Sequence, residues 1–224
     1  MHLIVFDIDG TIVDSVGVDD ECFIQTFLDL CDIDLSGIDW NTFEHVTDRG
    51  LTNEIFRTHF KRAPTEVEVA RLKTYFYKLL RARAHAMTEI KGALHTLSTL
   101  MDRSDCTIAF ATGGWKETAL LKLDAIGFKL GEIPLLSSNE HFDRSKITSL
   151  AIEASHAKIG RNTIDSITYV GDGLWDLRTA SELGINFIGV DRQRNHRLKN
   201  AGANFVLENL ENVAQLISWV TRPR

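Results

Sequence analysis

Only three cysteines, Cys22, Cys31 and Cys106, occur in 224 residues. Neither their number nor their spacing supplies a disulfide framework or a thiolate metal site, so they are expected to be reduced, mostly buried thiols. An excess of basic charge is also missing. Twenty-five Lys and Arg stand against 31 Asp and Glu, a net charge of −6, and no basic cluster could follow a phosphate backbone. Nucleic acid is therefore not an expected partner. Long hydrophobic runs are absent as well. The apolar run Leu3–Phe6 meets a carboxylate at Asp7, too early for a signal peptide, and no segment approaches the length that spans a bilayer. These absences point to a cytoplasmic protein with no membrane partner. Apolar content of 44%, charge of 25% and aromatics of 8% match a soluble globular chain. The length suits one large domain, or one domain carrying an insert.

The most informative stretch is Leu3-Ile4-Val5-Phe6-Asp7-Ile8-Asp9-Gly10-Thr11. Four consecutive apolar residues bounded by a turn signal predict a strand buried on both faces of a parallel sheet. Such strands present ligands and chemistry at their carboxyl ends. Two aspartates that close repel each other unless a cation or a shared proton intervenes. The pattern calls for a metal, although both aspartates could instead serve only to cap a loop.

From about Val16 to Ala86 the pattern is helical. Phe23, Phe27 and Leu30 recur at helical spacing, as do Val69, Leu72, Phe76, Leu79 and Leu80, and Thr65 with Glu68 forms a capping box. Asp14 and Ser15 read as helix-start residues. From Glu89 onward strand and helix alternate. Strands are predicted at 107–111, 133–136, 167–170, 186–190 and 205–207, with a closing helix capped by Asn209. Repeated strand–helix units imply a doubly wound α/β fold with a parallel sheet and right-handed crossovers. The expected division is a core of residues 1–14 and 88–224 carrying an inserted helical cap domain, 15–87, with hinges near 15–17 and 83–88.

Three further motifs fall at strand ends or helix starts. Thr112-Gly113-Gly114 offers a hydroxyl and unobstructed backbone N–H groups to a phosphate oxygen, or makes a strand–helix turn capped by Thr112. Arg144-Ser145-Lys146 puts a cation at a helix start, where a lysine is mildly unfavourable unless it faces an anion. Gly171-Asp172-Gly173 leaves the Asp172 carboxylate uncovered at a strand tip. Asp176 follows one turn later, either as a partner in Mg²⁺ binding or as a helix N-terminal acid.

In that order, Asp7/Asp9, Thr112, Lys146 and Asp172/Asp176 resemble the motif series of the haloacid dehalogenase-like hydrolases, over the whole chain. The insert lies where the helical-cap (C1) subgroup, similar to phosphoglycolate phosphatases and β-phosphoglucomutases, places its cap. The resemblance implies a phosphatase acting on a small phosphorylated metabolite, as monomer or homodimer. Asp7 would be the nucleophile and Asp9 the acid and base. Asp7, the Asp9 backbone carbonyl, Asp172 and Asp176 would hold Mg²⁺, and Thr112, Gly113 and Lys146 would hold the phosphoryl oxygens. Relatives often follow the lysine with proline, whereas Ile147 follows here, so Arg144 competes for that role. In His45–Gly50, which looks like the family's substrate-facing loop, Arg49 is either a substrate contact or an exposed surface residue. A sugar-phosphate mutase would use the same residues, and a non-catalytic binding module would have been expected to lose one of Asp7, Asp9 or Asp172.

Overall fold

In the computed structural model, which describes residues 1–159 and 164–222, the N-terminal apolar run forms β1 (His2–Phe6). Its side chains divide by the two-residue period of a strand. Ile4 and Phe6 enter one hydrophobic cluster and Leu3 and Val5 the other, all four fully buried. A strand with two apolar faces needs cover on both sides. Helices α4 (Ala93–Met101), α5 (Lys116–Ala125) and α8 (Val213–Val220) contribute to the first cluster, and α6 (Arg144–Ile159) and α7 (Leu174–Glu182) to the second.

The sheet adds β4 (Cys106–Ala111), β5 (Leu135–Leu136), β6 (Ser166–Gly171), β7 (Asn186–Val190) and β8 (Val206–Leu207). The order is β5-β4-β1-β6-β7-β8, with every pair parallel. Strand β1 therefore lies between β4 and β6, where the winding reverses direction, and an open α/β sheet collects its ligands at such a point. The doubly wound expectation holds, and each predicted strand is present with ends shifted by a few residues at most.

Between β1 and the rest of the sheet come α1 (Val16–Cys31), α2 (Asp48–Phe60) and α3 (Glu66–Ala82). They join through an aromatic cluster in which Phe23 packs against Phe27, Trp40 and Phe76 at centroid distances of 5.0, 5.8 and 5.6 Å. The Thr65–Glu68 capping box is formed. The chain leaves and re-enters the sheet region through a two-stranded antiparallel ribbon, β2 (Val13–Asp14) with β3 (Thr88–Glu89), which the sequence pattern did not reveal.

Two capping expectations change. Ser15 occupies the N-cap of α1, but its hydroxyl donates to Asp9 and to the Val13 carbonyl rather than capping the helix. The closing helix is capped by Asn212, whose side chain accepts from the Gln215 N–H, while Asn209 closes a turn with Glu211. The three cysteines are free thiols. Among the described residues no helix is long and apolar enough to cross a membrane.

Candidate active site

The register Phe6↔Val170 continues one step past the strand, where the Asp7 N–H donates to the Val170 carbonyl at 2.9 Å. Asp7 thus stands beside the tip of β6, from which Asp172 projects, and α7 turns Asp176 back toward both. Oxygens of Asp7, Asp172 and Asp176 all lie within 4.8 Å of one another. Gly10 permits this approach. Its φ is +72°, and a Cβ there would lie 2.2 Å from an Asp172 carboxylate oxygen.

One largely buried cation meets this group. Arg144 Nη1 donates to Asp7 Oδ1 at 3.0 Å and to Asp176 Oδ1 at 2.8 Å, and Nη2 donates to the Val46 carbonyl at 3.1 Å. Burial opposes its charge, but Asp176, Tyr169 and Asp7 outweigh that cost and hold the guanidinium protonated. Lys146, the expected phosphate ligand, is exposed. Successive helical residues are about 100° apart, so a residue two positions after Arg144 emerges on nearly the opposite face. Of the two cations, Arg144 is the one that enters the carboxylate group.

One guanidinium does not offset three carboxylates, two of them buried and the third, Asp172, partly so. Burial, then Asp176, pushes the Asp7 carboxyl well above the ordinary range against the pull of Arg144. Burial and Asp176 likewise raise Asp172 to about 7. An all-oxygen donor set with surplus negative charge suits a hard divalent cation such as Mg²⁺. Asp7 and Asp172 fit that role best. Both oxygens of Asp176 already accept hydrogen bonds, Oδ2 from the Gly173 N–H at 2.9 Å and Oδ1 from Arg144 and the Tyr169 hydroxyl. Asp176 thus orients Arg144 and the Gly-Asp-Gly turn. The Asp9 carboxylate lies outside this group of three.

Thr112 continues the β4 ladder, donating its N–H to the Leu136 carbonyl at 3.0 Å, and its Oγ accepts from the Gly114 N–H at 3.1 Å. A Cβ on Gly113 would lie 2.2 Å from Arg144 Nη2, so glycine is required for this loop and the guanidinium to share the site. Thr112, Gly113, Arg144, Asp7, Asp9 and Asp172 line one cavity of about 460 Å³. Its opposite wall comes from the helical segment and includes Asp19, Asp20, Trp40 and Asp48.

The segment 46–48 is tied to the sheet end. The Asp48 N–H donates to the Gly113 carbonyl at 2.8 Å, the Trp115 N–H donates to Asp48 Oδ2 at 2.7 Å, and Thr47 Oγ donates to the Phe142 carbonyl at 2.6 Å. Burial raises Asp48 to about 7, against the opposing effects of Lys122 and the Trp115 N–H. Arg49, by contrast, is turned toward the Asn139 carbonyl and Glu66 at 3.4 and 3.3 Å and is not among the lining residues. It begins α2 instead of belonging to an open loop.

Sequence reasoning missed Lys122. It is fully buried on α5, with Nζ 2.7 and 2.8 Å from the two oxygens of Asp9 and paired also with Asp19. In the sequence it stands among Leu120, Leu121 and Leu123, an apolar series that suggests a different buried face. The buried face of α5 runs instead through Thr118, Ala119, Lys122 and Leu123, while Leu120 is exposed. A lysine four residues after one buried position and three after another was the available signal.

Comparison with known proteins bears on the family and the fold. A family model described as haloacid dehalogenase-like hydrolase matches residues 4–190. A search of curated proteins found no match. Among solved structures, a hydrolase from Pseudomonas syringae superposes with a TM-score of 0.78 at 22% identity, over 99% of this chain and 100% of that one. CbbY from Rhodobacter sphaeroides in complex with phosphate gives 0.66 at 18%, over 95% and 96%. A protein from Haemophilus somnus 129PT, described as a predicted phosphoglycolate phosphatase, gives 0.66 at 16%, over 97% and 98%.

Proposed function

The chain belongs to the haloacid dehalogenase-like hydrolases, and from that premise we propose that it is a Mg²⁺-dependent phosphatase of a small-molecule phosphate monoester. The observation that carries this reading is the convergence of Asp7, Asp172 and Asp176 around Arg144 at the carboxyl end of β1, facing a cavity large enough for a sugar phosphate.

Asp7 attacks phosphorus, and the ester P–O bond breaks as an aspartyl-phosphate forms. Asp9 gives a proton to the departing oxygen, then takes one from the water that cleaves the aspartyl-phosphate. Arg144, the Thr112 hydroxyl and the Gly113 N–H hold the phosphoryl oxygens. Mg²⁺, held by Asp7 and Asp172, would supply the positive charge that brings an anionic ester to an anionic nucleophile. Residues 15–87 act as a helical cap over a core of 1–14 and 88–224, excluding water and contacting the leaving group.

The cap-side wall favours a neutral, hydroxyl-bearing leaving group. Asp19, Asp20, Asp39 and Asp48 line it, and no lysine or arginine among the lining residues comes from the helical segment. A leaving group carrying a carboxylate or a second phosphate would meet like charge there, while the core-side cations Arg192 and Arg197 are turned to Asp14 and the Asp172 carbonyl. That favours simple hydrolysis of a sugar or polyol phosphate over phosphoglycolate cleavage or a mutase cycle through a bisphosphate.

A phosphate-release screen over sugar phosphates, phosphoglycolate and nucleotides, with Mg²⁺ and with chelator, tests the proposal. Metal-dependent release that is greatest for sugar or polyol phosphates is expected, and Asp7→Asn abolishes it without unfolding the chain. Metal-independent turnover, or appreciable activity in Asp7→Asn, would overturn it.

A further inference from the structure

The group assigned to proton transfer, Asp9, is gripped by a cation for which the phosphoryl chemistry has no use. Lys122 Nζ contacts both Asp9 oxygens at 2.7 and 2.8 Å and pairs with Asp19 of α1, while the Ser15 hydroxyl donates to Asp9 Oδ1. The ammonium has three donors and no acceptor, and carboxylate oxygens at Asp9 and Asp19 surround it. Lys122 is wholly buried, yet the Asp9 side chain it holds keeps 22% of its surface open to the cavity. Taking an ammonium out of water is costly before pairing, so an apolar residue would serve packing alone better. A carboxyl group fixed from two sides, with its remaining surface facing substrate space, is the arrangement that a directed proton transfer requires.

We propose that Lys122 is a positioning residue for proton transfer. It anchors the Asp9 carboxyl in the orientation from which the leaving oxygen, and then the attacking water, are reached. Because its other partner, Asp19, belongs to the helical segment, the anchor is complete only when that segment lies against the sheet end. The inference rests on the reading of Asp7 as nucleophile and Asp9 as acid and base. In the first step the Asp7 oxygen bonds to phosphorus, the ester P–O bond breaks, and the Asp9 proton passes to the alkyl oxygen. In the second, water oxygen bonds to phosphorus, the Asp7–phosphorus bond breaks and returns its electron pair to the carboxylate, and the water proton passes to Asp9. Lys122 touches neither phosphorus nor the leaving group.

The test compares Lys122→Met with wild type on two esters: the best alkyl phosphate from the screen, and p-nitrophenyl phosphate, whose leaving group departs with little help from an acid. Expected for Lys122→Met is a kcat on the alkyl ester lower by about 100-fold with KM nearly unchanged, the scale of lost general acid–base catalysis. With p-nitrophenyl phosphate it gives a rapid burst of about one equivalent, then slow turnover, because the aspartyl-phosphate forms but its hydrolysis lacks an oriented base. Lys122→Arg recovers part of kcat. Equal loss on both esters with no burst, or a changed melting temperature with unchanged kinetics, overturns the proposal. Should Lys122→Met fail to fold, Lys122→Gln, which keeps a donor in the buried site, is read the same way. If neither folds, Lys122 belongs to core stability and the proposal falls. Loss of wild-type turnover on every ester, or a burst that persists in Asp7→Asn, would instead bring down the underlying assignment of Asp7.

Discussion

Arg144 and Lys146 share the first turn of α6, and helical geometry sends one into the acid cluster and the other into solvent. Arg144→Ala should lower kcat/KM by about 100-fold or more, the scale seen when one preorganised donor to a developing charge is removed. Lys146→Ala should stay within about twofold, because the side chain is exposed. Steady-state kinetics on the two variants separates them. Asp172 carries a second residue-scale expectation. With its carboxyl raised to about 7, the metal-free site holds a proton below that pH which a cation must displace. Mg²⁺ affinity should therefore weaken as pH falls through about 7, and binding should release protons. Calorimetry in two buffers of different ionisation enthalpy measures both. Asp7, Asp9, Thr112 and Asp172 could be picked out in the sequence because each follows a buried apolar strand at a turn signal. Lys122 left only its spacing on α5 as a mark, and Asp19 and Asp48 left none, since their meeting depends on how three helices dock.

At the scale of elements, periodicity located α1 and α3, and apolar runs between turn signals located the sheet strands, the two-residue β5 and β8 included. The ribbon strands β2 and β3 escaped notice because Asp14, Thr88 and Glu89 are exposed and leave no apolar run to detect. The capping box offers a clean test of α3. Thr65→Ala removes the acceptor for the Glu68 N–H and should cost about 1 kcal/mol, read from denaturant unfolding. Gly113 is a harder constraint. A Cβ there would overlap Arg144 and lie 2.9 Å from the Val46 carbonyl, joining the strand-end loop, the guanidinium and the helical segment in one contact. Gly113→Ala should thus reduce turnover more than it reduces stability, a difference that thermal melts and kinetics on the same sample will show.

Across the whole molecule, the parallel sheet collects carboxylates at one rim, and the excess negative charge there links folding to pH. Asp48 and Asp172 take up protons near pH 7 in the folded chain, against an ordinary 3.8. The folded state therefore binds more protons than the unfolded one between those values. The stabilisation from these two groups is complete at low pH and is lost as pH rises through about 7. With chelator present, the melting temperature of wild type should fall more between about pH 6 and pH 8 than that of Asp172→Asn, and Mg²⁺ should raise it more at the higher pH. A wild-type profile that matches the variant would reject this linkage. The amino-acid order by itself determined the sheet, the helical insert and which carboxylates end the strands, because burial patterns and turn residues act over a few positions along the chain. Only the tertiary structure decided that Arg144 enters the cluster in place of Lys146, that Arg49 turns away, and that Lys122 grips Asp9. Those outcomes depend on rotation about a helix axis and on the packing of distant helices, and a buried charge is tolerated only where the assembled fold brings its counter-charge within hydrogen-bonding reach.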